Sequence, residues 1–113
     1  MHAAATNILH PSADTFEAEV IRSPLPTLVD FWAPWCPPCR MLKPELEHVA
    51  QRLVGRANIA LVNVDAQPRL AEAFKISGIP ALFVLKNGRI IDSWTGYTPR
   101  DSILARFEPH MST

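Results

Sequence analysis

The chain is 113 residues long, enough for one hydrophobic core and too short for two. Apolar residues make up 48% and charged ones 19%, a globular balance that excludes a disordered chain. Eleven basic residues offset eleven acidic ones and are scattered singly, so no field draws the chain to nucleic acid or to an anionic membrane.

A first strand is expected near Asn7 to Leu9. Ser12-Ala13-Asp14 offers capping side chains for a helix to about Ile21, with Phe16 and Val20 on one face. Ser23-Pro24-Leu25-Pro26 breaks it. Thr27 to Trp32 is β-branched, aromatic and almost continuously apolar, the pattern of a central strand covered on both faces. Leu42, Leu46, Val49, Ala50 and Leu53 recur at helical spacing, ending near Gly55, and Pro44 is expected to kink that helix. Ile59 to Val64 reads as a second buried strand, and Pro68 opens a short helix containing Leu70 and Phe74.

Ala81 to Leu85 and Arg89 to Thr95 flank Lys86-Asn87-Gly88, whose Asn-Gly pair signals a hairpin. Thr98 is placed to cap a last helix, with Pro99 at its first position and Asp101 at its third. Ile103, Leu104 and Phe107 form its apolar side. Strands joined through helices pair in parallel, and the terminal hairpin adds antiparallel strands. The pattern predicts a single α/β domain over residues 1–113, a mixed central β-sheet with helices on both faces. No apolar run approaches the length of a membrane span, so no membrane partner is expected. Met1 to Val20 has neither the basic start nor the apolar block of a secretion signal, and a cytoplasmic location is expected.

The two cysteines, Cys36 and Cys39, stand three positions apart in Trp35-Cys36-Pro37-Pro38-Cys39. A structural disulfide gains most by closing a long loop, and this loop is nearly the shortest possible. The pair reads as chemistry rather than as a staple. It falls where a strand gives way to a helix, whose first turn offers unpaired N–H groups and a partial positive charge that favour a thiolate. A partly exposed first cysteine can then attack a disulfide in another protein, and the second can resolve the mixed disulfide. Zinc is the alternative reading, but zinc generally takes four ligands. There is no second Cys-x-x-Cys, and His2, His10, His48 and His110 form no spaced pair, so no metal is expected. His48 reads as a solvated helix residue. Asp30 sits inside an apolar strand, where a buried carboxylate is costly unless it serves something.

The stretch Val29-Asp30-Phe31-Trp32-Ala33-Pro34-Trp35-Cys36-Pro37-Pro38-Cys39-Arg40-Met41-Leu42-Lys43-Pro44 resembles the active-site segment of the thioredoxin family. The similarity extends through Val62-Asn63-Val64-Asp65, Gly78-Ile79-Pro80 and Lys86-Asn87-Gly88 to Gly96, and covers a core of about 8–107. The resemblance implies the thioredoxin fold, with Cys36 as the attacking cysteine and Cys39 as the resolving one. It implies that Asp30 lies beneath Cys39 and assists its proton transfer, and that Pro80 is a cis-proline facing the disulfide. Trp35, Ile79, Pro80 and Gly96, with Tyr97 beside them, fall on the family's docking surface for an extended substrate strand.

Three positions depart from the family pattern. Pro37-Pro38 replaces the usual Gly-Pro, Leu61 stands where a lysine commonly accompanies the aspartate, and Ala81 where threonine follows the cis-proline. Trp-Cys-Pro-Pro-Cys is also similar to the membrane-tethered thioredoxins of cytochrome maturation, which carry an export anchor and insertions. The function implied is a general protein-disulfide reductase acting as a monomer without a bound cofactor, on protein disulfide substrates, and recycled by a thioredoxin-reductase-like enzyme. A disulfide oxidase or isomerase, or a binding subunit without turnover, is the alternative.

Overall fold

The computed structural model describes residues 5–111. The outermost residues of the expected domain, 1–4 and 112–113, and with them His2, lie outside the described residues. Strand β1 (Ile8–Leu9) is followed by a short π-helical segment (Glu17–Ile21), β2 (Thr27–Trp32), α1 (Pro37–Arg52), β3 (Asn58–Asn63) and α2 (Pro68–Ala73). The hairpin β4 (Ala81–Lys86) and β5 (Arg89–Thr95) then leads to α3 (Arg100–Phe107) and a final 3₁₀ turn (Glu108–His110). The sheet order is β1-β3-β2-β4-β5. Strands β1, β3 and β2 run parallel to one another, while β4 is antiparallel to both β2 and β5.

Strand β2 is central, and the alternation of its side chains divides the core into two layers. Leu28 joins Ile59 of β3, Leu82 and Val84 of β4, and the inward faces of α1 and α3. Val29 and Phe31 face the other way, against Val20, Leu70 and Leu85. The two layers are the physical content of a mixed sheet with helices on both faces. Phe31, Phe74 and Phe83 pack with ring centroids 5.0–5.6 Å apart on the second face.

The hairpin forms as its Asn-Gly pair requires. Asn87 (φ 53°) and Gly88 (φ 76°) both take the left-handed conformation that a tight turn between twisted strands demands. Two expected elements differ in detail. The segment after Ser12 begins with a turn, in which the Ser12 carbonyl accepts from the Phe16 N–H at 2.9 Å. It continues as a π-helix closed by the Arg22 N–H on the Glu17 carbonyl, rather than as a uniform α-helix from Ser12. Phe16 and Val20 are nevertheless both buried.

Thr98 does not cap α3. The cap position is Pro99, and Glu45 of α1 performs the capping instead, its Oε1 accepting from the Arg100 N–H at 2.8 Å. The Thr98 hydroxyl is diverted to the end of β5, where it accepts from the Trp94 indole N–H and donates to the Gly96 carbonyl. Helix α1 continues through Pro44 to Arg52 without interruption. Phe107 locks α3 onto α1 and is completely buried. Phe107→Ala is expected to lower stability by about 3–5 kcal/mol, measured as a fall in the urea midpoint at unchanged slope.

Candidate active site

Strand β2 ends at Trp32, the chain turns through Ala33, Pro34 and Trp35, and α1 starts at Pro37 with Cys36 as its cap residue. Pro37 and Pro38 suit a helix start, because their missing N–H groups would have no intrahelical acceptor and proline's fixed φ already matches the helix. The first free N–H of the turn is that of Cys39, and it donates to the Cys36 Sγ at 3.3 Å. The two cysteines form a disulfide.

Cys36 was expected to be the more exposed cysteine, and in this oxidised state it is not. Both residues are 4% exposed. The Cys36 Sγ is bonded to its partner, touched by the Cys39 N–H, and 3.9 Å from the Ile79 carbonyl oxygen. Position separates them instead. Cys36 adjoins Trp35, a flag on the surface with 63% of its area exposed. Cys39 lines a cleft of about 320 Å³ on the α1 side of the sheet.

Asp30 opens into that same cleft. It is paired in register with Leu61 on one side and Leu82 on the other, so the position commonly held by lysine presents a hydrocarbon to the carboxyl. Asp30 is 3% exposed and its Oδ1 has no hydrogen-bond partner. Burial of an uncompensated charge raises its pKa from 3.8 to about 7.

The remaining expected residues gather at the rim on the Cys36 side. The Ile79–Pro80 peptide is cis, Ile79 is half-buried, and Pro80 is buried. The Pro80 carbonyl accepts from the Gly96 N–H at 2.8 Å, which ties the end of β5 to the start of β4. Gly96 has φ 97°, a conformation side chains rarely adopt. The Trp35 indole N–H donates to the Asp65 carboxylate at 2.8 Å, holding the ring in place. Tyr97 stands exposed beside Gly96.

Several participants had no individual signal in the sequence. Asp65 lies within Val62-Asn63-Val64-Asp65, where nothing in the sequence singles it out. Arg40, Lys43 and His10 reach the cleft from α1 and from the segment after β1. His48, read as solvated, contacts Arg100 at 3.0 Å between its Nδ1 and the guanidinium, beside the Arg100–Glu45 ion pair. Hydrogen bonding from Arg100 holds the Glu45 carboxyl below its ordinary value. No group of three or more His, Cys, Asp or Glu among the described residues is arranged to hold a metal ion.

A redox-active Cys-x-x-Cys pair at a helix start, on a mixed five-stranded sheet with helices on both faces, defines a thiol–disulfide oxidoreductase of thioredoxin fold. A family model described as Thioredoxin matches residues 7–108. Thioredoxin 1 of a Nostoc species is 40% identical over 97 residues, covering 86% of this chain and 91% of that protein. Thioredoxin 2 of Chlorobaculum tepidum is 40% identical over 96 residues, 85% of this chain and 88% of its own. Thioredoxin of Haemophilus influenzae is 34% identical over 106 residues, 94% and 99% of the two chains. The chain belongs to the thioredoxin family, and it is an enzyme of the protein-disulfide reductase type.

The burial of Asp30 has a consequence for stability. The unfolded chain releases this proton near pH 3.8, whereas the folded protein holds it to about pH 7. Between those values the folded state binds the extra proton, so its stability falls as pH rises, and above about pH 7 the whole penalty is present. A rise from 3.8 to about 7 corresponds to at most about 4 kcal/mol. Asp30→Asn is therefore expected to be more stable than the wild type by about 1–3 kcal/mol at pH 8, with most of the advantage gone at pH 4. Urea unfolding of the oxidised proteins at the two pH values checks this.

Proposed function

We propose that this protein is a general reductase of protein disulfides, acting through the Cys36–Cys39 couple. In the reduced protein the Cys36 thiolate, favoured by the α1 N-terminus, attacks a substrate disulfide and expels one substrate thiolate. Cys39 then gives its proton to the Asp30 carboxylate, and its sulfur attacks the Cys36 Sγ. The second substrate thiolate leaves and the Cys36–Cys39 disulfide closes. The observation that carries the reading is the shared cleft, lined by both Asp30 and Cys39 and not by Cys36. A pKa near 7 lets the same group accept and return a proton at neutral pH.

Trp35, Ile79, Pro80 and Gly96 form the docking surface for an extended substrate segment, whose backbone pairs with that of Ile79. The chain works as a single domain over 1–113 and as a monomer in the cytoplasm, with a thioredoxin-reductase-like enzyme restoring the dithiol. Among the described residues no helix is long and apolar enough to cross a membrane.

With dithiothreitol as electron source, the protein is expected to accelerate reduction of insulin disulfides. Cys36→Ser removes the acceleration, and Cys39→Ser accumulates a mixed disulfide through Cys36. A rate no higher than the dithiothreitol background would turn the reading toward a binding subunit without turnover.

Pro37 sets the couple's poise in this reading. Glycine at 37 adds an N–H donor near the Cys36 Sγ and frees the loop, stabilising the dithiol form relative to the disulfide. Pro37→Gly is expected to have a lower Cys36 pKa and a potential less negative by about 20 mV, equivalent to about 1 kcal/mol. Equilibration with glutathione and thiolate absorbance against pH measure the two halves separately. A more reducing variant would show that strain in the Pro-Pro loop dominates.

A further inference from the structure

The cleft behind the disulfide is larger than a proton route needs. Its volume of about 320 Å³ reaches the lower end of the range for small-molecule sites, which are mostly apolar with a few converging polar groups. Trp32, Pro34 and Leu61 supply apolar wall. Asp30 supplies a floor whose Oδ1 has no partner, and the buried indole N–H of Trp32 has none either.

The mouth carries the opposite chemistry. His10, Arg40 and Lys43 line it. The ion pairs among the described residues are Arg22–Glu17, Arg100–Glu45 and Arg106–Asp92, so neither Arg40 nor Lys43 is neutralised by a carboxylate. Arg40 instead donates to the Pro34 carbonyl at 3.0 Å, which fixes its guanidinium at the lip. With Asp30 protonated, no anion faces Arg40 and Lys43 from α1, β2, β3 or the segment after β1 within the cleft.

We propose that this cleft binds a small amphipathic monocarboxylate, its carboxylate held by Arg40 and Lys43 and its aromatic or branched body lying against Trp32 and Leu61. A bare phosphate or sulfate would leave the apolar wall uncovered, and a neutral apolar molecule would leave both cations unused. Leu61 matters because a lysine there would place a third polar group where the ligand body lies. None of Trp35, Ile79, Pro80 and Gly96 lines the cleft. An occupant would therefore leave the docking surface free while covering Cys39 and Asp30, and would slow resolution rather than substrate binding.

Binding is tested on the oxidised wild-type protein by NMR titration with phenylacetate, phenylacetamide and benzylamine. Phenylacetate is expected to give saturable shifts at the Leu61 amide and the Trp32 indole N–H. The neutral and cationic analogues are expected to bind about tenfold more weakly, the worth of two partly exposed charge contacts. Arg40→Gln and Lys43→Gln should each weaken phenylacetate by about threefold and leave phenylacetamide unchanged. Affinity for phenylacetate should fall between pH 6 and pH 8 as Asp30 becomes an anion, the other ionisable side chains lining the cleft being His10, Arg40 and Lys43 and the two cysteines being held in the disulfide. No saturable shift, equal binding of the amide, or shifts confined to Trp35 and Ile79 would overturn the proposal. The readout needs no turnover, so its failure leaves the reductase reading untouched.

Discussion

The burial of β2 on both faces is the constraint from which the site follows. A strand in the middle of the sheet, with helices packed above and below, has no solvent face on which to place a polar side chain. Asp30 occupies such a strand, and its side chain must point into one core layer or the other. Alternation sends it, with Leu28, to the α1 side, and α1 is the helix that carries Cys39. The same strand ends where that helix begins. The carboxyl and the helix N-terminus thus meet over a few residues of chain, at the carboxyl end of a parallel strand pair, where open α/β sheets place their sites.

Electrostatics within the site follow from what surrounds that carboxyl. In this chain both register neighbours of Asp30 are leucines, and the cations lining the cleft, Arg40 and Lys43, come from the helix. Burial is then the sole large influence on the proton of Asp30. The arrangement separates two roles that a lysine on β3 would merge. The inner cleft stays apolar and tunes the acid, while the positive charge sits at the mouth.

The opposite side of the disulfide is built from backbone. Gly96 bonds to the Pro80 carbonyl, Thr98 bonds to the Gly96 carbonyl and receives the Trp94 indole N–H, and the Arg106 guanidinium lies 4.1 Å above the Trp94 ring. That chain of contacts fastens the loop before β4 and the end of β5 to α3. The rim beside Cys36 is consequently held by the last helix, far away in sequence, and there the Ile79 carbonyl oxygen lies 3.9 Å from the Cys36 Sγ.

Sequence by itself determined the elements whose signals are local. Continuous apolar character marked β2, the Asn-Gly pair set the hairpin, and helical spacing placed α1 and α3, because each depends on neighbours a few residues apart. It also marked Cys36, Cys39 and Asp30, since a close cysteine pair and a carboxylate in an apolar run are chemically conspicuous. Tertiary structure decided what depends on register and on helices crossing. It brought Glu45 to the start of α3 in place of Thr98, drew Asp65 onto Trp35, and gathered Arg40, Lys43 and His10 around one cleft. Those partners lie on different elements, and an ion, a cap or a cleft wall has no sequence period by which it could announce its partner. Only the packing of β3, α1 and α3 against β2 brings them within reach.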